Sequence, residues 1–126
     1  MKKALTLLFC FICYQISCHA QVADECHYFK NLSVQNGLSQ NTVNTILQDK
    51  QGFMWFGTKD GLNRYDGLSF RKFKHDDRSQ RSIGNNFITA LYEDEKGNIW
   101  VGTDVGLYIY YPEKDFFEHF TELSAE

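Results

Sequence analysis

The chain has 126 residues, of which 16% are aromatic and 23% charged, and its formal net charge is −3 with neutral histidines. Nucleic-acid-binding proteins usually present a basic face, so this slightly acidic composition argues against nucleic acid as a partner. The high aromatic content is typical of strands, and no stretch keeps a helical apolar period. The composition therefore favours an all-β protein.

The N-terminus has the features of an export signal. Two lysines are followed by an apolar stretch over residues 4–16 and by small residues before a cleavage site after Ala20. We expect residues 1–20 to be a cleaved signal peptide. The apolar stretch is shorter than the ~20 residues that span a bilayer, so we expect no membrane span in the mature chain. Lipid attachment at Cys18 is the alternative, although Gln15 stands where such signals usually carry leucine.

Removal of the signal changes the charge and the cysteine count. Two lysines leave, so 11 basic residues remain against 16 acidic ones and the net charge becomes about −5. Three of the four cysteines also leave, and Cys26 alone cannot form an internal disulfide. We expect Cys26 to be an inert residue near the terminus, with a free reactive thiol or an intermolecular disulfide as the alternatives.

Residues 21–40 are predicted to form an N-terminal outer strand and a lead-in loop. Phe29 and Leu32 have the apolar spacing of the last strand in each of two repeats that follow, and Gly37-Leu38-Ser39 leads into the first repeat. A glycosylation sequon begins at Asn31, but such triplets are common by chance.

The rest of the chain contains one motif twice. The shared residues of the first copy are Asp49, Gly52, Trp55, Gly57, Thr58, Gly61, Leu62 and Tyr65. The same residue types recur 45 positions later, from Asp94 to Tyr110. A period near ~45 with dense turn residues is typical of stacked β units such as propeller blades.

Each copy is predicted to form a four-stranded antiparallel blade. Residues 41–76 would form blade 1, and residues 77–126 an inter-blade loop and blade 2. The predicted strands are residues 42–48, 53–57, 62–65 and 69–73 in the first blade, and 87–93, 99–102, 107–110 and 116–120 in the second. Because closed propellers need about four to eight blades, two blades and one extra outer strand predict an incomplete propeller.

The turns and second strands support this interpretation. Asp49 and Asp94 each begin a four-residue turn that ends in glycine, the pattern of a type I turn. Trp55 and Trp100 lie in continuous apolar runs, which predicts strands covered on both sides by neighbouring blades. The second copy departs from the first at Tyr108, which replaces asparagine, and in a longer third turn.

The run from Gly37 to Gly67, with its Asp-x-x-Gly-Phe-Met-Trp-Phe-Gly-Thr core, resembles the two-component regulator propeller repeat, and the resemblance covers residues 27–120. It implies the periplasmic sensor part of a hybrid two-component system, in which propellers precede a membrane helix, a histidine kinase and a receiver. It also implies an oligosaccharide ligand, further blades or another chain completing the ring, and an inner-membrane-anchored parent. No kinase motif occurs in this chain, so we expect no enzymatic activity here and no cofactor.

The candidate site residues are few. Asp49 and Asp94 could be paired acid/base carboxylates, and Trp55 and Trp100 could stack on sugars, but their repeated positions favour turn and core roles. Ligand contact is a weak prediction for three tyrosines and one arginine of a basic inter-blade run: Tyr108, Tyr110, Tyr111 and Arg78. The three mature histidines have no metal-site spacing: His27, His75 and His119.

Two other functions stay open from the sequence. The chain could be a stand-alone secreted interaction module whose blades assemble with other chains into a ring. It could also be part of a propeller-fold polysaccharide lyase, although no His/Glu/Arg constellation recurs in the two repeats.

Overall fold

A computed structural model describes residues 29–121 of the chain. The predicted signal peptide, Cys26 and His27 lie outside the described residues. By contacts the chain divides into residues 1–30 and residues 31–126, and the second unit contains every strand described below. The domain boundaries given above stay predictions.

The described chain forms two four-stranded antiparallel sheets, called sheet 1 and sheet 2. Sheet 1 has the order β1 (Val43–Gln48), β2 (Met54–Thr58), β3 (Gly61–Tyr65) and β4 (Phe70–Phe73). Sheet 2 has the order β5 (Ile88–Glu93), β6 (Ile99–Thr103), β7 (Gly106–Tyr111) and β8 (Phe116–His119). Each end of the eight predicted strands lies within one residue of the observed end, so the all-β fold of two propeller-type blades is confirmed.

The two sheets repeat each other in detail. Both show a register irregularity early in their first strand, between Val43 and Thr45 in sheet 1 and between Ile88 and Ala90 in sheet 2. The longer third turn shifts the last strand, so Phe70 pairs with Tyr65 as Phe117 pairs with Tyr110, an offset of 47. The sequence repeat is therefore a structural repeat.

Sheet 2 packs against one side of sheet 1, and a continuous apolar core lies between them. The core residues are Trp55, Leu62, Phe73, Ile83, Ile88, Ile99, Val101, Tyr110 and Phe117. Gly57 makes the close approach possible, since a Cβ there would lie 2.5 Å from Thr45 Cγ2 and 2.6 Å from Ile88 Cγ2. No side chain larger than hydrogen fits at position 57 without moving β5 away from β2.

The lead-in segment packs on the other side of sheet 1. A short 3₁₀ helix, Val34–Asn36, is capped by Ser33, and the following Leu38 is buried. Ser39 then donates its backbone N–H to Asn63 Oδ1 at 2.9 Å, while Asn63 Nδ2 donates to Ser39 Oγ at 2.8 Å. Asn63 is fully buried, and these bonds satisfy its amide.

The predicted outer strand is not seen in the part of it that is described. Residues 29–33 adopt no strand, and residues 21–28 lie outside the described part. An outer strand must pair with the open edge of another sheet. Sheet 1 cannot provide that edge to residues 29–33, because the lead-in segment continues directly into the first strand of sheet 1.

Candidate functional site

The repeated aspartates hold the β1–β2 and β5–β6 turns together. Asp49 Oδ1 accepts the backbone N–H groups of Gln51 and Phe53 at 3.0 and 2.9 Å, and Asp49 Oδ2 accepts the Trp55 indole N–H at 2.7 Å. Each carboxylate oxygen is thus bound to donors of its own turn. The prediction of a turn role for Asp49 is confirmed by these contacts.

Asp94 repeats this arrangement in sheet 2. Partial desolvation acts to raise the pKa of Asp94, but hydrogen bonds from the side chain and backbone of Asn98, from the Trp100 indole and from the backbone of Lys96 outweigh it and lower the pKa to about 2. A carboxylate held ionised by four donors is a poor proton donor near neutral pH. Asp94 is therefore a structural anion of the turn.

The repeated tryptophans differ in how well they are covered. Trp55 is only 1% exposed and lies 5.5 Å from the Tyr110 ring and 5.7 Å from the Phe73 ring. Trp100 holds the same motif position but is only partly buried, with its ring 5.1 Å from Phe120. The core prediction is confirmed for Trp55. Trp100 lacks full cover because no further sheet packs on its side within residues 29–121.

An ion pair lies at the end of the interface formed by β4 and by the turn before β8, which we call the outer corner. Arg71 Nη2 contacts both carboxylate oxygens of Asp115 at 2.7 Å, and Tyr110 Oη donates to Asp115 Oδ1 at 2.8 Å. Burial, followed by the hydrogen bond to Asp115, raises the pKa of Tyr110 to about 12. Tyr110 therefore stays a neutral hydrogen-bond donor. Although it was predicted as a weak ligand contact, it packs between the two sheets.

Lys50 joins the two sheets at the end of the interface formed by the β1–β2 and β5–β6 turns, which we call the inner corner. Its backbone N–H donates to Glu93 Oε2 at 2.9 Å, and its ammonium group donates to the carbonyls of Asp94 and Glu95 at 2.8 and 3.3 Å. Sequence reasoning missed both corners, Lys50 and Arg71–Asp115. The available signal was the difference between repeats, because neither Lys50 nor Arg71 has a basic counterpart in the second repeat, where Glu95 and Glu118 stand.

The three weak ligand candidates do not converge. Tyr108 stacks on His119 at 4.9 Å and lies so close to Gly84 that a Cβ there would be 1.8 Å from its hydroxyl oxygen. Arg78 is 91% exposed and donates to Asp76 Oδ1 at 3.1 Å, in the connection that leads into β5. Tyr111 ends β7 at the opposite end of sheet 2. A single ligand site therefore does not join them in the described chain.

Tyr111 lies beside a hollow formed among the turns. The hollow has a volume of about 330 Å³ and is lined by Gln51 of sheet 1 and by two turns of sheet 2, with Lys96, Asn98, Tyr111 and Lys114. Tyr111 Oη donates to Glu118 Oε2 at 2.9 Å, and the Lys114 ammonium group lies 5.8 Å from the Tyr111 ring centre. The hollow combines one aromatic ring with several hydrogen-bonding groups.

His75 ties down the connection between the sheets. Its Nδ1 lies 2.9 Å from the Ile83 carbonyl and its Nε2 lies 2.7 Å from Asp77 Oδ1. Both partners only accept, so the imidazole makes both bonds when it is protonated. The Ile83 carbonyl, then Asp77, raises the pKa of His75. These two contacts hold the connection between the sheets in place.

Two kinds of feature are absent from the described residues. Residues 29–121 contain no group of three or more histidine, cysteine or acidic side chains arranged to hold a metal. The same residues include no helix with the length and apolar character needed to cross a bilayer.

Two stacked four-stranded sheets, repeated at 45 residues and joined by one apolar core, define the chain as a piece of a β-propeller. The sequence pattern of the family described as "Two component regulator propeller" matches residues 37–60 and 82–105. The two matches fall on the lead-in segments and first two strands of both sheets. Residues 37–60 and 82–105 are therefore two copies of the two-component regulator propeller repeat.

Two relatives agree with this assignment. The protein named Histidine kinase P4 of Formosa agariphila is 40% identical over 77 residues, which are 61% of this chain and 5% of that protein. The crystal structure of the extracellular domain of the putative hybrid two component system BT3049 from B. thetaiotaomicron matches with a TM-score of 0.69 and 36% identity. That match covers 75% of this chain and 14% of the solved one. The chain thus spans only a small part of either relative.

Proposed function

We propose that this chain supplies blades of the ligand-sensing propeller in the periplasmic part of a hybrid two-component sensor. The observation that carries the proposal is the pair of family repeats folded into two packed blades, together with similarity to an extracellular domain of a hybrid two-component system. Export through the predicted signal at residues 1–20 agrees with a periplasmic location. The role of the blades is recognition and ring assembly, without catalysis.

The proposed ligand class is an oligosaccharide. Sugars offer hydroxyl groups on polar edges and C–H groups on their faces, so their sites combine aromatic rings with hydrogen-bonding side chains. The hollow beside Tyr111 has this composition, since Asn98, Lys96 and Lys114 lie around the ring. Propeller blades contribute shares of such a site, and other blades would supply the rest.

Binding to the complete sensor domain, as the gene encodes it, tests the proposal. Isothermal titration with a panel of neutral and acidic oligosaccharides should identify at least one that binds. Tyr111→Leu should then weaken binding about 2- to 10-fold, because one aromatic contact is lost, while Tyr111→Phe, which keeps the ring, should bind nearly as well. Failure of the whole panel would overturn the ligand class, and unchanged binding in both variants would remove Tyr111 from the site.

The size of the native product separates this proposal from a stand-alone module. Light scattering on the exported protein should give a mass of a single long chain that contains the remaining blades. A short product forming a defined oligomer would instead support blades that assemble in trans. Release of unsaturated products from a polysaccharide would favour the lyase alternative.

A further inference from the structure

One side of sheet 2 is built like the side of sheet 1 that sheet 2 covers. We call this side the open face and define it by Tyr92, Trp100, Ile109 and Phe120. Trp100 is the counterpart of buried Trp55, yet it is only partly covered, and Tyr92 and Phe120 are 63% and 42% exposed. Within residues 29–121 nothing packs on the open face.

Two aromatic residues of sheet 1, Trp55 and Phe73, pack against the neighbouring blade, and both have aromatic counterparts on the open face. In the covered interface, Tyr110 of sheet 2 lies 5.5 Å from Trp55 and 5.1 Å from Phe73. The counterparts of that receiving pair are Trp100 and Phe120, whose rings lie 5.1 Å apart. A hollow of about 500 Å³ beside Trp100 and Ile109 leaves room for an incoming side chain. The open face therefore has the shape that accepts another blade.

At both corners of the covered interface, sheet 1 presents a basic residue and sheet 2 an acidic one. Sheet 1 is basic at both corners, with Lys50 at the inner one and Arg71 at the outer one. The docking side of sheet 2 is acidic at both: Glu93 Oε2 accepts the backbone N–H of Lys50 at 2.9 Å, and Asp115 pairs with Arg71 at 2.7 Å. The Lys50 ammonium group donates to the backbone carbonyls of Asp94 and Glu95. Of these two contacts, the one at the outer corner is therefore the ion pair between side chains, while at the inner corner Glu93 lies beside a residue whose side chain is basic.

On the open face both signs are reversed. The counterpart of Lys50 is Glu95, 45 residues on, and the counterpart of Arg71 is Glu118, at the offset of 47 that applies to β8. Glu118 is exposed and accepts a hydrogen bond from Tyr111. A blade with the charges of sheet 2 would place carboxylates against both glutamates, and like charges at close range destabilise an interface.

A second copy of this chain lacks the charges to fill the open face. The positions of sheet 1 that correspond to Glu93 and Asp115 are Gln48 and Leu68, which carry no charge. Stacking one chain on another would leave Glu95 and Glu118 without cations. The charge pattern therefore selects a different blade.

The geometry points to a propeller blade of the same repeat type, with lysine or arginine at the positions of Glu93 and Asp115, as the occupant of the open face. This inference rests on the proposed role in ring assembly and adds which neighbour the ring accepts. Opposite charges, above all at the outer corner where Arg71 and Asp115 form an ion pair, favour that blade and disfavour the others.

The test uses the whole chain with a third blade appended as a probe. A second copy of residues 77–121 follows Thr121, either unchanged or with lysine at its copies of Glu93 and Asp115. The copy of Trp100 within the probe is changed to phenylalanine, so that Trp100 itself reports docking through acrylamide quenching. Each probe is combined with the native host and with a host carrying Glu95→Lys and Glu118→Arg.

Matched charges should protect Trp100 from acrylamide and lower the unfolding equilibrium constant by about 2- to 30-fold relative to mismatched charges. High salt should shrink the difference. The reversed host should prefer the unchanged probe. Equal docking of both probes would overturn the charge-selection inference and leave the propeller role intact. An exposed Trp100 in all four chains would overturn both, and a native, unextended chain that self-associates with Trp100 protected would establish a second copy as the occupant.

Discussion

Replacing Trp55 by alanine should destabilise the protein strongly. Trp55 is 1% exposed, contacts rings from both sheets and donates its indole N–H to Asp49. A buried tryptophan removes about 200 Å² from water, which at about 25 cal/mol per Å² corresponds to roughly 5 kcal/mol. Truncations of this kind lose about 3–5 kcal/mol. We expect Trp55→Ala to lower the free energy of unfolding by that amount.

Trp100→Ala is the matched control within the same chain. Trp100 occupies the same motif position and donates its indole N–H to Asp94 Oδ2 at 3.2 Å, but it is only partly buried. Because its ring is less completely covered than that of Trp55, its loss should cost less. The difference between the variants isolates the cover that sheet 2 supplies to sheet 1.

Urea unfolding followed by far-ultraviolet circular dichroism measures both variants without relying on tryptophan fluorescence. The slope with denaturant should stay comparable, so that midpoints can be compared. A loss below about 1 kcal/mol for Trp55→Ala would refute its core role. Equal losses for the two variants would refute the claim that packing by the neighbouring sheet makes the difference.

Three further predictions concern packing and pH. Gly57→Ala should lower the free energy of unfolding by about 1–3 kcal/mol, since its Cβ would lie 2.6 Å from Ile88 Cγ2, whereas Gly102→Ala, with no atom nearer than 3.1 Å, should cost less; urea midpoints test this. The raised pKa of His75 predicts a contribution to stability that is complete below about pH 6.5 and lost as the pH rises through the folded-state pKa, so melting temperatures of His75→Gln should vary less with pH above 6. The pKa of about 2 at Asp94 predicts a contribution that is complete above pH 3.8 and lost as the pH falls toward 2, and an acid titration of Asp94→Asn should lack that step.

The parts of the fold that were predictable depend on short-range chemistry. Asp49 and Gly52 specify a turn through contacts within five residues, and the same pattern at Asp94 and Gly97 specifies its copy. Hydrophobic strands between such turns have few possible pairings. Strand ends were therefore predicted to within one residue.

Contacts between the sheets were not predictable in the same way. The Arg71–Asp115 pair joins residues 44 positions apart, and neither belongs to the shared motif. The extra length of the turn before β8 places Asp115 at the corner, with a positive φ of 53°. A sequence pattern gives the turn's length but not the direction of its side chains, so the ion pair could not be predicted from the sequence.

The same reasoning applies to Tyr108, which the sequence predicted as a weak ligand contact. Its counterpart in sheet 1 is Asn63, which bonds Ser39 of the lead-in segment. The counterpart of Ser39 is Gly84, whose missing side chain leaves the space that the Tyr108 hydroxyl fills. A polar pair in one blade is thus replaced by a large and small pair in the other.

These paired differences separate two kinds of information in the repeat. The shared motif supplies turns, close glycine contacts and a tryptophan, which together make a blade that can stack on another. The differing positions, Ser39 with Asn63 against Gly84 with Tyr108 and Lys50 against Glu95, decide what each blade stacks on. If neighbour choice resided in the shared motif, every blade would accept every other, and a blade could stack on a non-neighbouring blade or on a second chain. Changing the differing positions alone, with the motif untouched, should therefore alter which blades associate while leaving each blade folded.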